Sequence, residues 1–451
     1  MHEPVLFNKS IKGASHITTG KPCQDYSGTY QDESVKIAVV CDGHGGSTYF
    51  RSDIGAKFAT EITIQLLINF ARCVDPSTFK GLSFAITAQP KRNPFIDADG
   101  NKMRFDELNE DQKKLALQAQ SFIESEGKYP QQQEIVKDLL SQIYAEWISA
   151  IEKDARENPF SRKEKIVLNG LGIEKAYGCT LLAFLQTKEY WLSFHIGDGR
   201  ISICDLSLNW ICPVPEDCTC FLNYTTSLCD SNPLMEFRYA FCGDAISPLA
   251  VMLCSDGLEG SLRIDENLQD FYEQIINLCL DGDDIEEELG SYLPSLSESG
   301  NKDDVSIAGI ITISDNNITN IRKMVELKKL NRNIRSEYRN RKSEIDSAYN
   351  RIDVLTMKFE RLKDSRFNKQ TELDEMRQSI KSREQEVIDL DKTVNSLRKE
   401  IEELKADLKH KEDEFEKWKF LIKNEMAELE SAQNEDFLND NENYNNEYTN
   451  W

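Results

Sequence analysis

The chain has 451 residues, of which 39% are hydrophobic and 29% are charged, and its formal net charge is −24. This acidic balance argues against a binder of nucleic acid or of anionic membranes, because both need a basic surface. No apolar run approaches the roughly 20 residues of a membrane-spanning helix, and the first residues lack the pattern of a signal peptide. We therefore expect a cytoplasmic protein.

As far as residue 313, the chain has the pattern of a mixed α and β domain. Short β-branched runs bounded by Gly or Asp predict strands, and amphipathic periodicity predicts helices. The predicted strands are Val35–Cys41, Cys179–Leu185, Tyr190–Ile196, Arg200–Cys204, Leu249–Cys254 and Val305–Ile313. The predicted helices are Tyr49–Ala71, Glu134–Arg156 and Leu268–Leu280. We expect residues 75–165 to be a helix-rich insertion and residues 205–247 to be an irregular flap over a site.

Acidic residues stand at the ends of four predicted strands. Asp42, Asp198 and Asp256 each follow a strand and precede Gly, whereas the pair Asp303 and Asp304 begins one. Carboxylates gathered at one sheet edge repel one another, and hard divalent cations such as Mg²⁺ or Mn²⁺ relieve that repulsion better than zinc does. Two such ions can share a bridging water and convert it to hydroxide, which hydrolyses a phosphate ester without a covalent enzyme intermediate.

Cysteine thiols are also candidate metal ligands. All twelve precede residue 280, and several stand in apolar runs, which favours reduced thiols over a disulfide framework. The cluster Cys212, Cys218, Cys220 and Cys229 could ligate zinc, but it lacks paired knuckles and a nearby His. Ordinary reduced thiols are therefore the favoured interpretation.

Six short motifs follow one another along the chain: CQD, CDGHGG, GCT, IGDGR, CSDGLEG and KDDVS. Their order resembles that of the type 2C, metal-dependent serine/threonine protein phosphatase family, over residues 10–313 without the 75–165 insertion. The resemblance implies an α+β fold for residues 1–313, a four-layer α-β-β-α sandwich with two central, mainly antiparallel sheets. It also implies a phosphoprotein substrate, whose phosphoserine or phosphothreonine is attacked by a water that bridges two Mg²⁺ or Mn²⁺ ions.

The resemblance assigns roles to individual residues of the motifs. Asp42 would bridge both metals, and Gly43 would ligate through its backbone carbonyl. Asp256 and Asp303 would hold one of the two ions. His44 would act as the general acid that protonates the leaving alkoxide.

The remaining candidate metal ligands include one residue that differs from the family pattern. Asp198, together with Glu259, would lie near a third and weaker metal site. Where the family carries Glu, this chain has Gln24, followed by Asp25. Because Gln24 offers a carbonyl oxygen but no charge, one metal would bind more weakly, or Asp25 would take over the role. The segment GASHITTGKPCQD resembles a QD variant of the same family.

The family's phosphate-binding arginine has no counterpart in this chain. His16 is the nearest position by motif, and Lys21 is the nearest permanent cation. These departures leave open a catalytically weak pseudophosphatase scaffold that dimerises through its coiled coil, and the same metals would also suit a phosphomonoesterase of small molecules. Intact Asp42, Asp256 and Asp303 oppose the scaffold, because a site without metals does not need such costly charges.

After residue 313 the composition changes, and residues 321–433 carry the seven-residue apolar repeat of a coiled coil. Its core positions, here named the seam, include Ile345, Ala348, Ile352, Leu355, Phe359, Leu362, Val387, Leu390, Val394, Leu397, Ile401, Leu404 and Leu408. β-Branched residues alternating with Leu favour a parallel homodimer. A different protein partner, or a hairpin folded back near Arg366 and Lys369, are the alternatives. Residues 434–451, rich in Asn and acidic residues, are expected to be disordered.

Overall fold

The computed structural model of the chain describes residues 3–87, 103–215, 220, 225–314, 316–371 and 380–440. The chain divides into two compact units, residues 1–325 and residues 326–451. The described strands are β1 (Val5–Ile11), β2 (Tyr26–Gln31), β3 (Lys36–Cys41), β4 (Ser83–Ile86), β5 (Leu181–Gln186), β6 (Trp191–Ile196), β7 (Arg200–Cys204), β8 (Trp210–Ile211), β9 (Arg238–Cys242), β10 (Ala250–Cys254) and β11 (Val305–Ile311). The described helices are α1 (Ala14–Thr19), α2 (Ser52–Cys73), α3 (Glu110–Ser125), α4 (Pro130–Glu157), α5 (Arg162–Leu168), α6 (Asp256–Leu262), α7 (Asp265–Asp281), α8 (Ile285–Ser299), α9 (Ile318–Thr371) and α10 (Ile380–Asp440).

The strands form two antiparallel sheets that pack face to face. One sheet has the order β1-β11-β10-β7-β8, and the other has the order β2-β3-β5-β6-β9-β4. Apolar side chains from both sheets, such as Val40, Phe184, Val251 and Ile310, fill the space between them. Helices α2 and α4 cover the outer face of the six-stranded sheet, and α7 and α8 cover that of the five-stranded sheet. The predicted α-β-β-α sandwich is therefore confirmed.

All six predicted strands and all three predicted helices are present, with ends that differ by a few residues. The prediction that residues 205–247 are irregular was wrong, because β9 is an inner strand of the six-stranded sheet, between β6 and β4. The buried Arg238 breaks the apolar pattern at the start of this strand. Its guanidinium donates hydrogen bonds to the carbonyl oxygens of Gly197 and Pro215, which makes its burial tolerable.

The predicted insertion, residues 75–165, is rich in helix and also contributes to the sandwich itself. Strand β4 forms the edge of the six-stranded sheet, and α4 packs against α2. Trp147 of α4 is fully buried and donates from its indole to the carbonyl oxygen of Gly55, 3.0 Å away. A Cβ at Gly55 would lie 1.9 Å from the backbone oxygen of Tyr177, so only glycine permits this close packing.

The first unit extends beyond residue 313. Ile321 and Val325, in the first turns of α9, are buried in the core beneath the five-stranded sheet. Arg322 fixes this turn to α7, since its guanidinium lies 2.7 Å from a carboxylate oxygen of Asp281. Helix α10 continues to Asp440, so the prediction of disorder from residue 434 was wrong for residues 434–440, whereas residues 441–451 lie outside the described part of the chain.

Candidate active site

Four acidic residues from two sheets converge at one edge of the sandwich. Asp42 follows β3 and Asp198 follows β6 in the six-stranded sheet, whereas Asp256 follows β10 and Asp303 precedes β11 in the five-stranded sheet. After burial, the charge of Asp256 is a further cause that raises the pKa of each of the other three carboxyl groups. The structure thus brings together the four strand-end carboxylates that the sequence singled out.

Burial and mutual repulsion make ionisation of this cluster unfavourable. Burial, followed by the charge of Asp256, raises the pKa of Asp198 to about 6. Burial also raises the pKa of Asp42 well above its ordinary value, and the charges of Asp25 and Asp256 add to the effect. Asp25 has a raised pKa for the same reason, burial first and then the charge of Asp304. Protons or bound cations must therefore balance these charges.

The loop that carries Asp42 is held by the GCT motif. The backbone N–H of Asp42 donates to the hydroxyl of Thr180 at 3.0 Å, and the N–H of Thr180 donates to the Asp42 carbonyl at 2.8 Å. The N–H of His44 donates to the carbonyl of Gly178 at 3.1 Å. A Cβ at Gly178 would lie 2.9 Å from the imidazole of His44, so glycine makes room for the predicted general acid.

His44 is half-buried, and its ring meets the ring of Tyr49 edge to face at 4.7 Å. Burial lowers the pKa of His44 to about 4, although the charge of Asp230 opposes the effect. The ammonium of Lys175, 3.3 Å from Asp230, also lowers the pKa of His44. The imidazole is consequently neutral near pH 7, and an anionic phosphate beside it would raise its pKa.

Gln24 supports the same loop through its side-chain amide. Its Nε2 donates to the carbonyl oxygen of His44 at 2.9 Å and also to the hydroxyl of Ser52. Its Oε1 is buried and has no hydrogen-bond partner in the described structure. The amide nitrogen therefore has a structural role, and the amide oxygen is left as an unpaired acceptor.

Asp304, which the sequence paired with Asp303 but to which it assigned no role, organises the N-terminal side of the site. It is 2% exposed, and its two carboxylate oxygens each accept a backbone N–H at 2.6 Å, one from Gly13 and one from Gln24. These bonds link the start of β11 to segments 280 or more residues earlier in the chain. The adjacent pair Asp303 and Asp304 was the only feature of the sequence that pointed to this role. A second carboxylate that is buried needs hydrogen-bond donors around it.

The two predicted phosphate-binding residues occupy different environments. His16 is buried, and its Nδ1 lies 2.9 Å from a carboxylate oxygen of Asp304, in a contact that is not aligned as a hydrogen bond. Lys21 is exposed, and its ammonium donates to the carbonyl oxygen of Gly45 at 2.7 Å, in the loop that follows Asp42. Of the two, only Lys21 presents a charge at the surface of the site.

Glu259, assigned by the resemblance to a third metal site, is paired with a cation in the structure. The guanidinium of Arg200 contacts the Glu259 carboxylate and also lies 2.8 Å from Asp265. These charges raise the pKa of Arg200 in spite of its partial burial. Glu259 can therefore contribute to a metal near Asp198 only by sharing its charge with Arg200.

The donor set of the acidic cluster fits a hard divalent cation. It consists of oxygen atoms, and both Asp25 Oδ2 and Gln24 Oε1 are buried without a hydrogen-bond partner in the described residues. Oxygen donors of this kind suit Mg²⁺ or Mn²⁺ better than zinc. In the part of the chain that is described, however, no three His, Cys, Asp or Glu side chains lie close enough together to hold one ion as they stand.

The cysteines considered for zinc are spread over different surroundings. Cys212 is exposed, Cys229 is buried, and Cys218 lies outside the described residues. The thiol of Cys220 contacts the carbonyl oxygen of Gly197 at 3.7 Å. None of the eleven cysteines in the described ranges forms a disulfide.

Comparisons with known proteins identify the family. A family model described as protein phosphatase 2C matches residues 12–294. The comparison with curated proteins finds no match. Among solved structures, the serine/threonine phosphatase Stp1 from Staphylococcus aureus is 14% identical, with 69% of this chain and 96% of that chain covered and a TM-score of 0.37. A sex-determining protein of C. elegans is 11% identical, with 72% and 68% covered and a TM-score of 0.39. These structural similarities are weak, but the family match spans more than half of the chain, and the chain therefore belongs to the protein phosphatase 2C family.

Proposed function

We propose that the protein is an active, metal-dependent phosphatase that hydrolyses phosphoserine and phosphothreonine in proteins. The observation that carries the proposal is the convergence of four carboxylates at one edge. Asp42 and Asp198 come from one sheet, and Asp256 and Asp303 come from the other, with His44 held in the same loop as Asp42. Such a cluster is costly to assemble unless cations bind to it.

The acidic cluster would hold two Mg²⁺ or Mn²⁺ ions. When bound, such a pair generates a hydroxide from water at neutral pH and stabilises negative charge on the phosphoryl oxygens. Asp198 would hold a third ion most weakly, because its neighbour Glu259 is already paired with Arg200. The residues proposed to hold the first two ions are Gln24, Asp25, Asp42, Gly43, Asp256 and Asp303.

The remaining residues would bind and protonate the substrate. Lys21, an exposed ammonium beside Gly45, would contact the phosphate oxygens. His44 would donate a proton to the departing serine or threonine oxygen, once the bound phosphate has raised its pKa. His16, paired with Asp304, would position the backbone of the site without contacting the phosphate.

Substrate selectivity tests this function. Purified protein with Mn²⁺ should release phosphate from phosphoserine and phosphothreonine peptides with a higher kcat/KM than from phosphotyrosine peptides or from a nitrophenyl phosphate. Malachite-green detection of the released phosphate measures all four rates. If the protein hydrolyses the nitrophenyl ester but none of the peptides, it is a phosphatase of small molecules and the proposal is wrong.

Gln24→Glu is expected to lower the concentration of Mn²⁺ that gives half-maximal activity, on the order of tenfold, because it adds a negative charge beside the cations. The same change should destabilise the protein by about 1–3 kcal/mol without metal, since a carboxylate oxygen would replace the amide donor to the His44 carbonyl. Activity measured against Mn²⁺ concentration and unfolding in urea test the two effects. Gln24→Met, which adds no charge, is the control and should not tighten metal binding.

Mn²⁺ is expected to raise the Tm of the protein, and to raise it more as the pH increases from about 5 to 7. The folded-state pKa values of Asp25, Asp42 and Asp198 lie above their ordinary values, with Asp198 at about 6. The unfolded chain ionises near pH 4, so the contribution of these groups to stability is lost as pH rises through the folded pKa. Mn²⁺ binds the ionised carboxylates and offsets that loss. Differential scanning fluorimetry in Mn²⁺ and in EDTA gives the difference directly, and a difference that does not change with pH would contradict the expectation.

A further inference from the structure

The second unit contains a helical hairpin. Positions early in α9 contact positions late in α10: Tyr338 stacks near Phe415 at 5.0 Å between ring centroids, and Lys411 lies 3.1 Å from Glu344. Further along, Arg351 lies 3.3 Å from Glu400 of α10. The helices are therefore antiparallel, and we name residues 326–371 of α9 together with α10 the arm hairpin. Residues 372–379 between them lie outside the described residues.

The seam predicted from the heptad repeat is the surface by which the two helices meet. Its described members in both helices are half-buried, with the exception of Leu404, which is exposed. The chain thus folds back on itself, but not at the predicted hinge, because α9 continues through Arg366 and Lys369 to Thr371. Two helices shield a seam from one side only, which explains why no seam residue is as buried as the core of the first unit.

The two helices of the hairpin differ in charge. Residues 326–371 of α9 include 13 Lys and Arg against 7 Asp and Glu, whereas α10 has 11 Lys and Arg against 18 Asp and Glu. Two of the cross-helix ion pairs, Arg341–Glu414 and Arg351–Glu400, follow this difference. Single exposed pairs contribute little, but opposite net charge along whole helices selects which helices pair. A parallel pairing of two α10 helices would place like net charges side by side.

An open groove runs between the two helices on one face of the hairpin. Charged residues of both signs form its rims, Arg341 and Glu344 on α9 and Lys405 and Lys411 on α10. Two large apolar side chains at its edge face solvent, since Tyr349 is 57% exposed and Leu404 is 40% exposed. The apolar floor of the groove is formed by Ile345, Ala348, Ile352, Ile401 and Leu408.

We infer that the groove of one arm hairpin packs on the same groove of a second copy of this chain, which forms an antiparallel four-helix bundle. The difference in net charge between α9 and α10 favours a second copy of the chain as the occupant of the groove. We place the two-fold axis that relates the two copies parallel to the long axis of the bundle. Each basic α9 then has an acidic α10 as neighbour on both sides, one from its own chain and one from the other. Every neighbouring pair is then antiparallel and oppositely charged, as the pair within one hairpin already is. This dimer differs from the parallel coiled coil favoured by the heptad pattern alone.

The variant Tyr349→Lys with Leu404→Lys tests the interface, since both side chains are exposed in a single hairpin and become buried only in the dimer. Wild-type protein at about 10 µM should sediment with twice the chain mass of 51.7 kDa. The variant should sediment as a monomer, with a dissociation constant raised at least about 100-fold because a buried unpaired charge is costly. Its helical circular dichroism and its hydrolysis of a small phosphate ester should be unchanged.

Val354→Lys with Met357→Lys is the matched control, because both residues lie on α9 outside the groove and are 64% exposed. This control should remain dimeric. Tyr349→Lys alone separates the two kinds of dimer, since Tyr349 is outside the seam and a parallel pairing of α10 helices would not respond to it. If the lysine pair reduces helicity, Tyr349→Ala with Leu404→Ala replaces it and should also weaken the dimer. A monomeric wild type, or a dimer that the groove variants leave unchanged, would overturn the inference without affecting the proposed phosphatase activity.

Discussion

Replacing Asp42 with Asn is expected to lower kcat for a small phosphate ester on the order of 1,000-fold. The change removes a negative charge that would hold the metal ions. Metal stabilisation of the transition state is worth several kcal/mol, with each factor of ten in rate equal to about 1.4 kcal/mol. The backbone bonds of Asp42 to Thr180 do not involve the carboxylate, so the fold should be retained. Steady-state kinetics with saturating Mn²⁺ and far-ultraviolet circular dichroism measure the two effects.

Asp106→Asn is a suitable control for the Asp42 variant, because Asp106 is exposed and far in sequence from the acidic motifs. It changes the net charge by the same amount and should leave kcat unaltered. The Asp42 variant should also lose most of the rise in Tm that Mn²⁺ produces, which is a readout independent of catalysis. An Asp42→Asn protein that keeps normal activity would show that this carboxylate does not hold the metals.

Replacing Asp304 with Ala is expected to destabilise the protein by about 3–5 kcal/mol, the range for breaking a buried, hydrogen-bonded charge. The change leaves the N–H groups of Gly13 and Gln24 without acceptors and removes the partner of His16. Relief of repulsion with Asp25 and Asp303 opposes the loss, but three contacts shorter than 3 Å outweigh these two unfavourable interactions between carboxylates. Urea unfolding with Mn²⁺ present measures the change.

Asp304→Asn provides the comparison for the alanine variant. Its amide oxygen can accept only one of the two N–H groups well, and its NH₂ group would oppose the other, so a smaller loss of about 1–3 kcal/mol is expected. If both variants are as stable as the wild type, the hydrogen bonds to Asp304 do not hold the N-terminal segment against β11. A loss confined to activity would point instead to direct metal binding by Asp304.

The parts of the fold that could be predicted are those where the apolar pattern is continuous. Strands β5 and β10 are buried along their whole length and show as apolar runs in the sequence. Strand β9 was missed because Arg238 begins it, and β1 was missed because only Phe7 of that edge strand is fully buried. A pattern of local hydrophobicity cannot find strands whose polar residues are satisfied by distant carbonyl groups or by position at a sheet edge.

The candidate active site also contains some residues that could be predicted from the sequence and others that could not. Asp42, Asp198 and Asp256 could be predicted because an acidic turn directly follows an apolar strand in each case. The supports of the site could not, because they join parts of the chain that are far apart: Thr180 holds the backbone of Asp42 across 138 residues, and Asp304 holds that of Gln24 across 280 residues. Only the folded structure shows these pairings.

The arm hairpin shows a limit of heptad patterns. The described seam residues other than Leu404 are half-buried in the arm hairpin, but a and d positions alone do not state which helix is the partner. The difference in net charge between the two helices carries that information and was present in the sequence. The dimer of hairpins remains a proposal, and sedimentation of the groove variants decides it.

Phosphate release from a phosphoserine peptide by protein freed of metal with EDTA tests the central claim most directly. We expect no release in EDTA, recovery when Mn²⁺ or Mg²⁺ is added in excess, and no recovery with Asp42→Asn. Release at the same rate in EDTA, or no release from the wild type at saturating Mn²⁺, would contradict it.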